Sequence, residues 1–252
     1  MTPDAYLNSV LARHHNATSV LQAQAVILTL QPHINVWGGS YLVGVNPSGS
    51  IAKGTAITGT SDVDLLVSVR SDTPDTLKQI YESLHQRFAT AGYAPRKQNV
   101  SIGLNVNGLK VDVVPAKKQG PLTNDHSLWS HKHQTWRQTN IHKHIQLIVN
   151  SGRSSEIKAL KVWRKVHNLE LPSFPAEMFV LQALKGRPFT TPATNFLSVL
   201  EYIRDNVTST RILDPSNSNN VVTDDLTSAE KQALRTQAQS SLLEPYWEQI
   251  LW

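Results

Sequence analysis

Gly49-Ser50-Ile51-Ala52-Lys53-Gly54-Thr55-Ala56-Ile57-Thr58-Gly59-Thr60-Ser61-Asp62-Val63-Asp64-Leu65-Leu66-Val67-Ser68-Val69 reads as a glycine-rich turn, a short helix and a strand. Asp62 and Asp64 are two residues apart on that strand, so their carboxylates project from one sheet face while Val63 points to the other. Like charges side by side on an otherwise apolar strand repel and are poorly solvated, and a divalent cation is the usual relief. Further on, Asn99–Val106 and Leu109–Val114 are joined by Asn107-Gly108, a pair that suits the type I′ hairpin turn. Asp112 lies between Val111 and Val113 and faces away from both, so a third carboxylate is available. Singly, an Asp-x-Asp pair can equally solvate an edge strand and Gly49 can merely turn the chain. Three such elements in order argue for a metal site.

The order Gly49-Ser50, Asp62-Val63-Asp64 and a distant Asp112 resembles the signature of the nucleotidyltransferase superfamily that includes DNA polymerase β. The resemblance implies an α+β fold: a mixed-sheet, polymerase β-like nucleotidyltransferase domain with a second, all-helical domain and an active site in the cleft between them. It implies that Asp62, Asp64 and Asp112 are catalytic and bind two ions of Mg²⁺ (or Mn²⁺), Asp112 also helping to activate the attacking hydroxyl. Two ions roughly 3.5–4 Å apart clamp the attacking and leaving oxygens of an in-line phosphoryl transfer. Gly49 and Ser50 are expected to bind the nucleotide, their turn bringing backbone N–H groups and a hydroxyl to a triphosphate.

Composition agrees without deciding. With 252 residues, 40% of them hydrophobic, the chain can bury a large core in one large or two small domains, and two are preferred. The formal charge of +5 suits polyanionic partners such as nucleotides or RNA. The absence of cysteine excludes disulfides and thiolate zinc sites. No apolar run approaches about 18 residues, and Met1-Thr2-Pro3-Asp4 lacks a basic leader, so a soluble cytoplasmic protein without membrane partners is expected.

From Pro3 to Leu30, Leu7, Val10, Leu11, Val20, Leu21, Ala25, Val26 and Leu28 recur at helical spacing around a polar break at His14-His15-Asn16. They predict two helices, or one interrupted helix, ended by Pro32. Pro74 followed by Leu77, Ile80, Tyr81, Leu84 and Phe88 predicts an amphipathic helix covering one sheet face. Lys117-Lys118 can meet polynucleotide phosphates, although two loop lysines are more often simply solvated. Between Gly120 and Asn140 the chain is polar and histidine-rich. It lacks ligand spacing for zinc, and Trp129 and Trp136 are expected to pack. Ile141, Ile145 and Ile148 share one face of the helix that follows.

Over Ser154–Asn168 the apolar stripe takes Ile157, Leu160 and Trp163, with Lys161 and Arg164 beside it. A cation there can simply snorkel. Ile157–Trp163 followed by Pro172–Met178, however, resembles a helix, linker and helix of the helical domain of three enzyme groups. These are the oligoadenylate synthetases, the bacterial cyclic-oligonucleotide synthases (the CD-NTase group) and the archaeal-type CCA-adding enzymes. That resemblance implies that Lys161 meets the triphosphate, with Ser173 at the same site and Glu177 structural. Asp214–Val222 resembles a loop of the same group that closes over the base, although Asp, Pro, Ser and Asn also suit a plain turn. Ser228–Leu243 predicts a helix with Asp224-Asp225 at its start. The end, Tyr246–Trp252, is too aromatic for a free tail.

The expected domains are 1–118, the nucleotidyltransferase domain, and 119–252, the helical domain, with the N-terminal helices free to pack on the latter. The expected function is template-independent transfer of NMP from an NTP, ATP foremost, to a hydroxyl, in an oligonucleotide or cyclic-oligonucleotide second-messenger synthase of antiviral defence. Its rivals are CCA-type addition to tRNA or another RNA, including by a toxin-like enzyme, and a non-catalytic nucleotide- or RNA-binding module. Three carboxylates without metal are electrostatically costly, which argues against the last.

Overall fold

The computed structural model describes residues 1–15, 20–58, 62–189 and 191–252. Asn16 of the polar break and Gly59, Thr60 and Ser61 of the motif lie outside the described residues. In chain order the elements are α1 (Pro3–Arg13), α2 (Val20–Gly38), β1 (Leu42–Pro47), α3 (Gly49–Ala52), β2 (Val63–Val69), α4 (Leu77–Thr90), β3 (Arg96–Lys97), β4 (Ile102–Val106), β5 (Leu109–Lys118), β6 (His126–Ser130), β7 (Thr135–Thr139), α5 (Ile141–Ser151), α6 (Ser154–Val166), α7 (Ser173–Ala183), α8 (Pro192–Asn206), β8 (Leu213–Asp214), β9 (Asn217–Val221), α9 (Ser228–Leu243) and α10 (Trp247–Ile250). Two compact units result. One takes the described residues of Met1–Asn16, Gly54–Gly59 and Gln146–Trp252, the other those of Ala17–Lys53 and Thr60–Ile145.

The second unit holds a mixed sheet in the order β1-β2-β5-β4-β3, with β6 on β5 and β7 on β6. β2 and β5 run parallel; the other pairs are antiparallel. β2 is buried from Leu65 to Val69, as a central strand covered on both faces should be. Asn107 and Gly108 turn the β4–β5 hairpin at φ 53° and 82°, the left-handed pair that the Asn-Gly dipeptide predicts. α4 buries Ile80, Tyr81, Leu84 and Phe88, and its start is fixed by a reciprocal cap between Thr76 and Gln79.

Three expectations change here. Pro32 does not end a helix, because α2 continues through it to Gly38. Burial of Leu30 and Ile34 on either side offsets a penalty of about 3 kcal/mol for an interior proline. The buried face of α2 is Ala23, Val26, Leu30 and Ile34, whereas Leu21 and Leu28 are exposed. The boundary expected at 118/119 falls instead at 145/146. Ala116, Lys117 and Lys118 at the end of β5 pair with Leu128, Ser127 and His126, and β7 then pairs with β6, so the histidine-rich stretch extends the sheet. Finally, Trp129 is half-buried with the Lys78 ammonium 5.8 Å from its ring centre, but Trp136 is 58% exposed.

The helical unit packs α6, α7 and α8 around Trp163, Phe179 and Phe196, with Leu7 and Val10 of α1 in the same core. Trp163 donates to Ser241 Oγ at 3.0 Å, and Tyr6 donates to the Leu251 carbonyl at 2.9 Å, which fixes the aromatic end of the chain. α9 is capped by Thr227 and Glu230, and Asp224-Asp225 lie in the preceding 3-10 turn. Asp214 turns inward on its own hairpin, accepting from the Ser216 N–H at 2.7 Å, Ser216 Oγ at 2.8 Å and Asn220 at 3.1 Å. Among the described residues no helix is long and apolar enough to cross a membrane.

Candidate active site

The register of β2 on β5 sets Asp64 directly beside Asp112, with Leu66 beside Val114 two residues on. Asp62 stands just before β2 and is partly exposed. The turn into α3 closes over this point. The Ser48 N–H donates to the Asp64 carbonyl at 2.8 Å, and the Ser50 N–H donates to its carboxylate. Gly49 has φ 60°, and a Cβ built on it would fall 1.7 Å from Asp64 Oδ2. Glycine is therefore required twice over, for its conformation and for its missing side chain.

The electrostatics follow from that packing. The Asp64 carboxyl is pushed up to about 6, first by burial and then by the charges of Asp112 and Asp62, against the pull of Lys53 and the Ser50 N–H. Asp112 is also raised, by burial and by Asp62, while Gln98 and Arg96 pull it down. Gln98 donates to Asp112 Oδ1 at 3.0 Å. Its amide is oriented by Ser101 Oγ at 2.6 Å, and its backbone N–H donates at 3.1 Å to the hydroxyl of buried Tyr81, which donates in turn to the Ser101 carbonyl. Sequence reasoning missed Gln98. Only the hairpin register reveals that its loop returns to Asp112.

Among the described residues no group of three or more His, Cys, Asp or Glu side chains is arranged to hold a metal ion as it stands. Asp62, Asp64 and Asp112 form a field of like charge rather than a closed ligand set. Its donors are all carboxylate oxygens, and Asp64 and Asp112 are raised above their usual values, first by burial and then by neighbouring carboxylate charge. That chemistry fits a hard divalent cation and not zinc or copper.

Residues 1–151 match the family model for the Second Messenger Oligonucleotide or Dinucleotide Synthetase (SMODS) domain. The chain belongs to the SMODS family. The matched segment of this SMODS chain contains Gly49, Ser50 and all three aspartates. A cyclic AMP-AMP-AMP synthase of Escherichia coli (strain MS 115-1) is 28% identical to it over 156 residues, 56% of this chain and 48% of the relative. The chain thus spans about half the length of the curated relative it matches. E. coli MS115-1 CdnC with ATP superposes with a TM-score of 0.75 at 20% identity, covering 97% of this chain and 96% of that one. The Bradyrhizobium diazoefficiens CD-NTase CdnG in complex with GTP superposes with a TM-score of 0.76 at 13% identity, covering 99% and 95%. The SMODS chain therefore has the nucleotidyltransferase fold that its motifs imply.

The helical-unit residues stand differently from the expectation. Lys161 does not lie beside the buried stripe of α6 but within it, at 1% exposure. Its ammonium donates to Thr55 Oγ1 at 2.9 Å, to the Thr55 carbonyl at 3.3 Å and to Glu177 Oε1 at 3.2 Å, and Glu177 is as deeply buried. Helical spacing alone cannot reveal a counter-charge carried by the next helix. Ser173 Oγ accepts from Arg164 at 3.1 Å, and Arg164 also donates to the Leu171 carbonyl, which ties the linker to α6.

Proposed function

We propose that this SMODS chain is a template-independent nucleotidyltransferase that transfers NMP from an NTP to the hydroxyl of another nucleotide, making an oligonucleotide or cyclic-oligonucleotide second messenger. The observation that carries the reading is the pairing of Asp64 with Asp112 beneath the Gly49 turn, each carboxyl raised above its ordinary range. Asp62, Asp64 and Asp112 would hold the divalent cation, Mg²⁺ or Mn²⁺, and two ions fit the three-carboxylate pattern. When bound, the cation supplies charge neutralisation at the triphosphate and at the leaving oxygen.

The protein's own residues do the positioning. The Ser50 N–H is committed to Asp64, so what Ser50 offers a phosphate is its hydroxyl. Gly49 lets the turn lie directly against the Asp64 carboxylate, where a Cβ would clash. Gln98 holds one oxygen of Asp112, leaving the other to take the proton of an attacking hydroxyl. ATP is the first substrate to test, supported by the relative named for cyclic AMP-AMP-AMP and by the likeness to CdnC with ATP. Lys161 and Ser173 are carried as nucleotide contacts on family resemblance. In this structure Lys161 would have to leave Glu177, and Ser173 would have to leave Arg164, to reach a phosphate.

The test is incubation of the protein with each radiolabelled NTP and Mg²⁺, with and without tRNA, followed by separation of the products. Labelled ladders or circles formed without RNA are expected. Label found only on added tRNA, or no product from any NTP, overturns the reading.

A further inference from the structure

The 19 residues of α2 include no Asp, Glu, Lys or Arg, and the helix is apolar on two opposite faces. Ala23, Val26, Leu30 and Ile34 are buried in the sheet unit. Opposite them, Leu21, Ala25, Leu28, Pro32 and Val36 follow at steps of four, three, four and four, which confines them to one narrow stripe. All five are exposed, Leu21 and Leu28 at 74% and Val36 at 68%. A helix with apolar residues on two opposite faces can bury only one of them against its own core, and an apolar stripe left on the surface marks an interaction site.

The stripe also has a symmetry that says what covers it. Sizes alternate large, small, large, small, large about Leu28. Against its own copy in antiparallel orientation, Leu28 meets Leu28 of the second copy, Ala25 meets Pro32, and Leu21 meets Val36. The short residues let the two backbones approach on either side of the central leucines. A two-fold contact sets the same surface against itself, so a charge at its centre would meet its own copy, and this helix carries no Asp, Glu, Lys or Arg. We propose that α2 is a homodimer interface, two copies packing antiparallel about a two-fold axis at Leu28. A standard interface buries about 800 Å² per partner, more than one stripe on a helix about 28 Å long supplies, so the dimer is weak and concentration-dependent.

The chain has no cysteine, which makes single-cysteine variants clean reporters. With a short bismaleimide, Leu28→Cys should form covalent dimer roughly tenfold or more faster than Leu122→Cys, a control at a fully exposed leucine elsewhere, because pre-association raises the effective concentration. Leu21→Cys and Val36→Cys should cross-link poorly alone and well when mixed. In sedimentation velocity the unmodified protein should shift to larger species as concentration rises. Leu28→Glu, with an unchanged circular dichroism spectrum, should remain monomeric. A monomer at every concentration, a Leu28→Cys rate no greater than the control, or binding to lipid vesicles without self-association overturns the proposal.

Discussion

Asp64 and Asp112 stand beside each other on two parallel strands, and burial together with the surrounding carboxylate charge holds both above the ordinary carboxylate range. In the absence of a cation this is a destabilising arrangement at neutral pH, and the arrangement itself predicts how the protein should respond to pH and to metal.

The Asp64 carboxyl titrates near 6 in the folded chain against an ordinary 3.8. A raised value means that the fold prefers the protonated acid, so the stabilisation is fully present below the unfolded value and is lost as pH rises through about 6. The difference corresponds to about 3 kcal/mol at most, shared with Asp112 because neighbouring carboxyls titrate as a pair. In EDTA the melting temperature should fall as pH is raised from about 4 to about 7, and Asp64→Asn should flatten that slope. Mg²⁺ should raise the melting temperature near neutral pH and have little effect in acid. A melting temperature independent of pH and Mg²⁺ in calorimetry would remove the electrostatic basis of the site.

Asp62→Ala and Asp64→Ala should each abolish nucleotide transfer while leaving the fold intact, since neither carboxylate is needed to pack the core. Asp64→Ala should melt no lower than the parent near neutral pH. Product formation and thermal melting measured on the same preparations check this. Full turnover by the double variant, or by the parent in EDTA, excludes these aspartates from the chemistry.

Gly49→Ala places a methyl group 1.7 Å from Asp64 Oδ2 and forces φ 60° on an alanine. The turn must shift, and a displacement of about 1 Å at a reacting centre lowers turnover by roughly 100-fold. Gly54→Ala is the control. Its φ is 67° but its Cβ would meet nothing within 4 Å, so it carries backbone strain alone. Equal activity in the two variants would show that contact with Asp64 is irrelevant.

Lys161→Ala leaves Glu177 buried without its cation, a loss of about 3–5 kcal/mol for breaking one side of a buried pair. A lower melting temperature is therefore expected, with Lys161→Met/Glu177→Leu closer to the parent than either single change. If instead the melting temperature held and NTP affinity fell by about 10–100-fold, Lys161 would be released from Glu177 to a phosphate in the working enzyme.

Local patterns were readable from the residues alone. Asn107-Gly108 specified its hairpin because only left-handed backbone closes a type I′ turn, and the spacing of Ile80, Tyr81, Leu84 and Phe88 specified the buried face of α4, whereas the fold was implied by the family resemblance that Gly49-Ser50 and the three aspartates carry. Readings failed where the deciding partner lay far along the chain. Pro32 was outweighed by burial against the sheet, and the stretch around His126 became a strand because β5 offered it an edge.

For the candidate site the same division holds. The sequence by itself determined which carboxylates share a strand face, because side-chain direction alternates with chain position alone. It also determined that glycine and serine precede them. Only the tertiary structure decided that Asp64 lies in register with Asp112, that Gln98 returns to hold the latter, and that Lys161 is neutralised by Glu177 inside a core. Those relationships depend on strand register and helix packing. Both are set by the sum of many contacts between distant segments, and no local spacing encodes that sum.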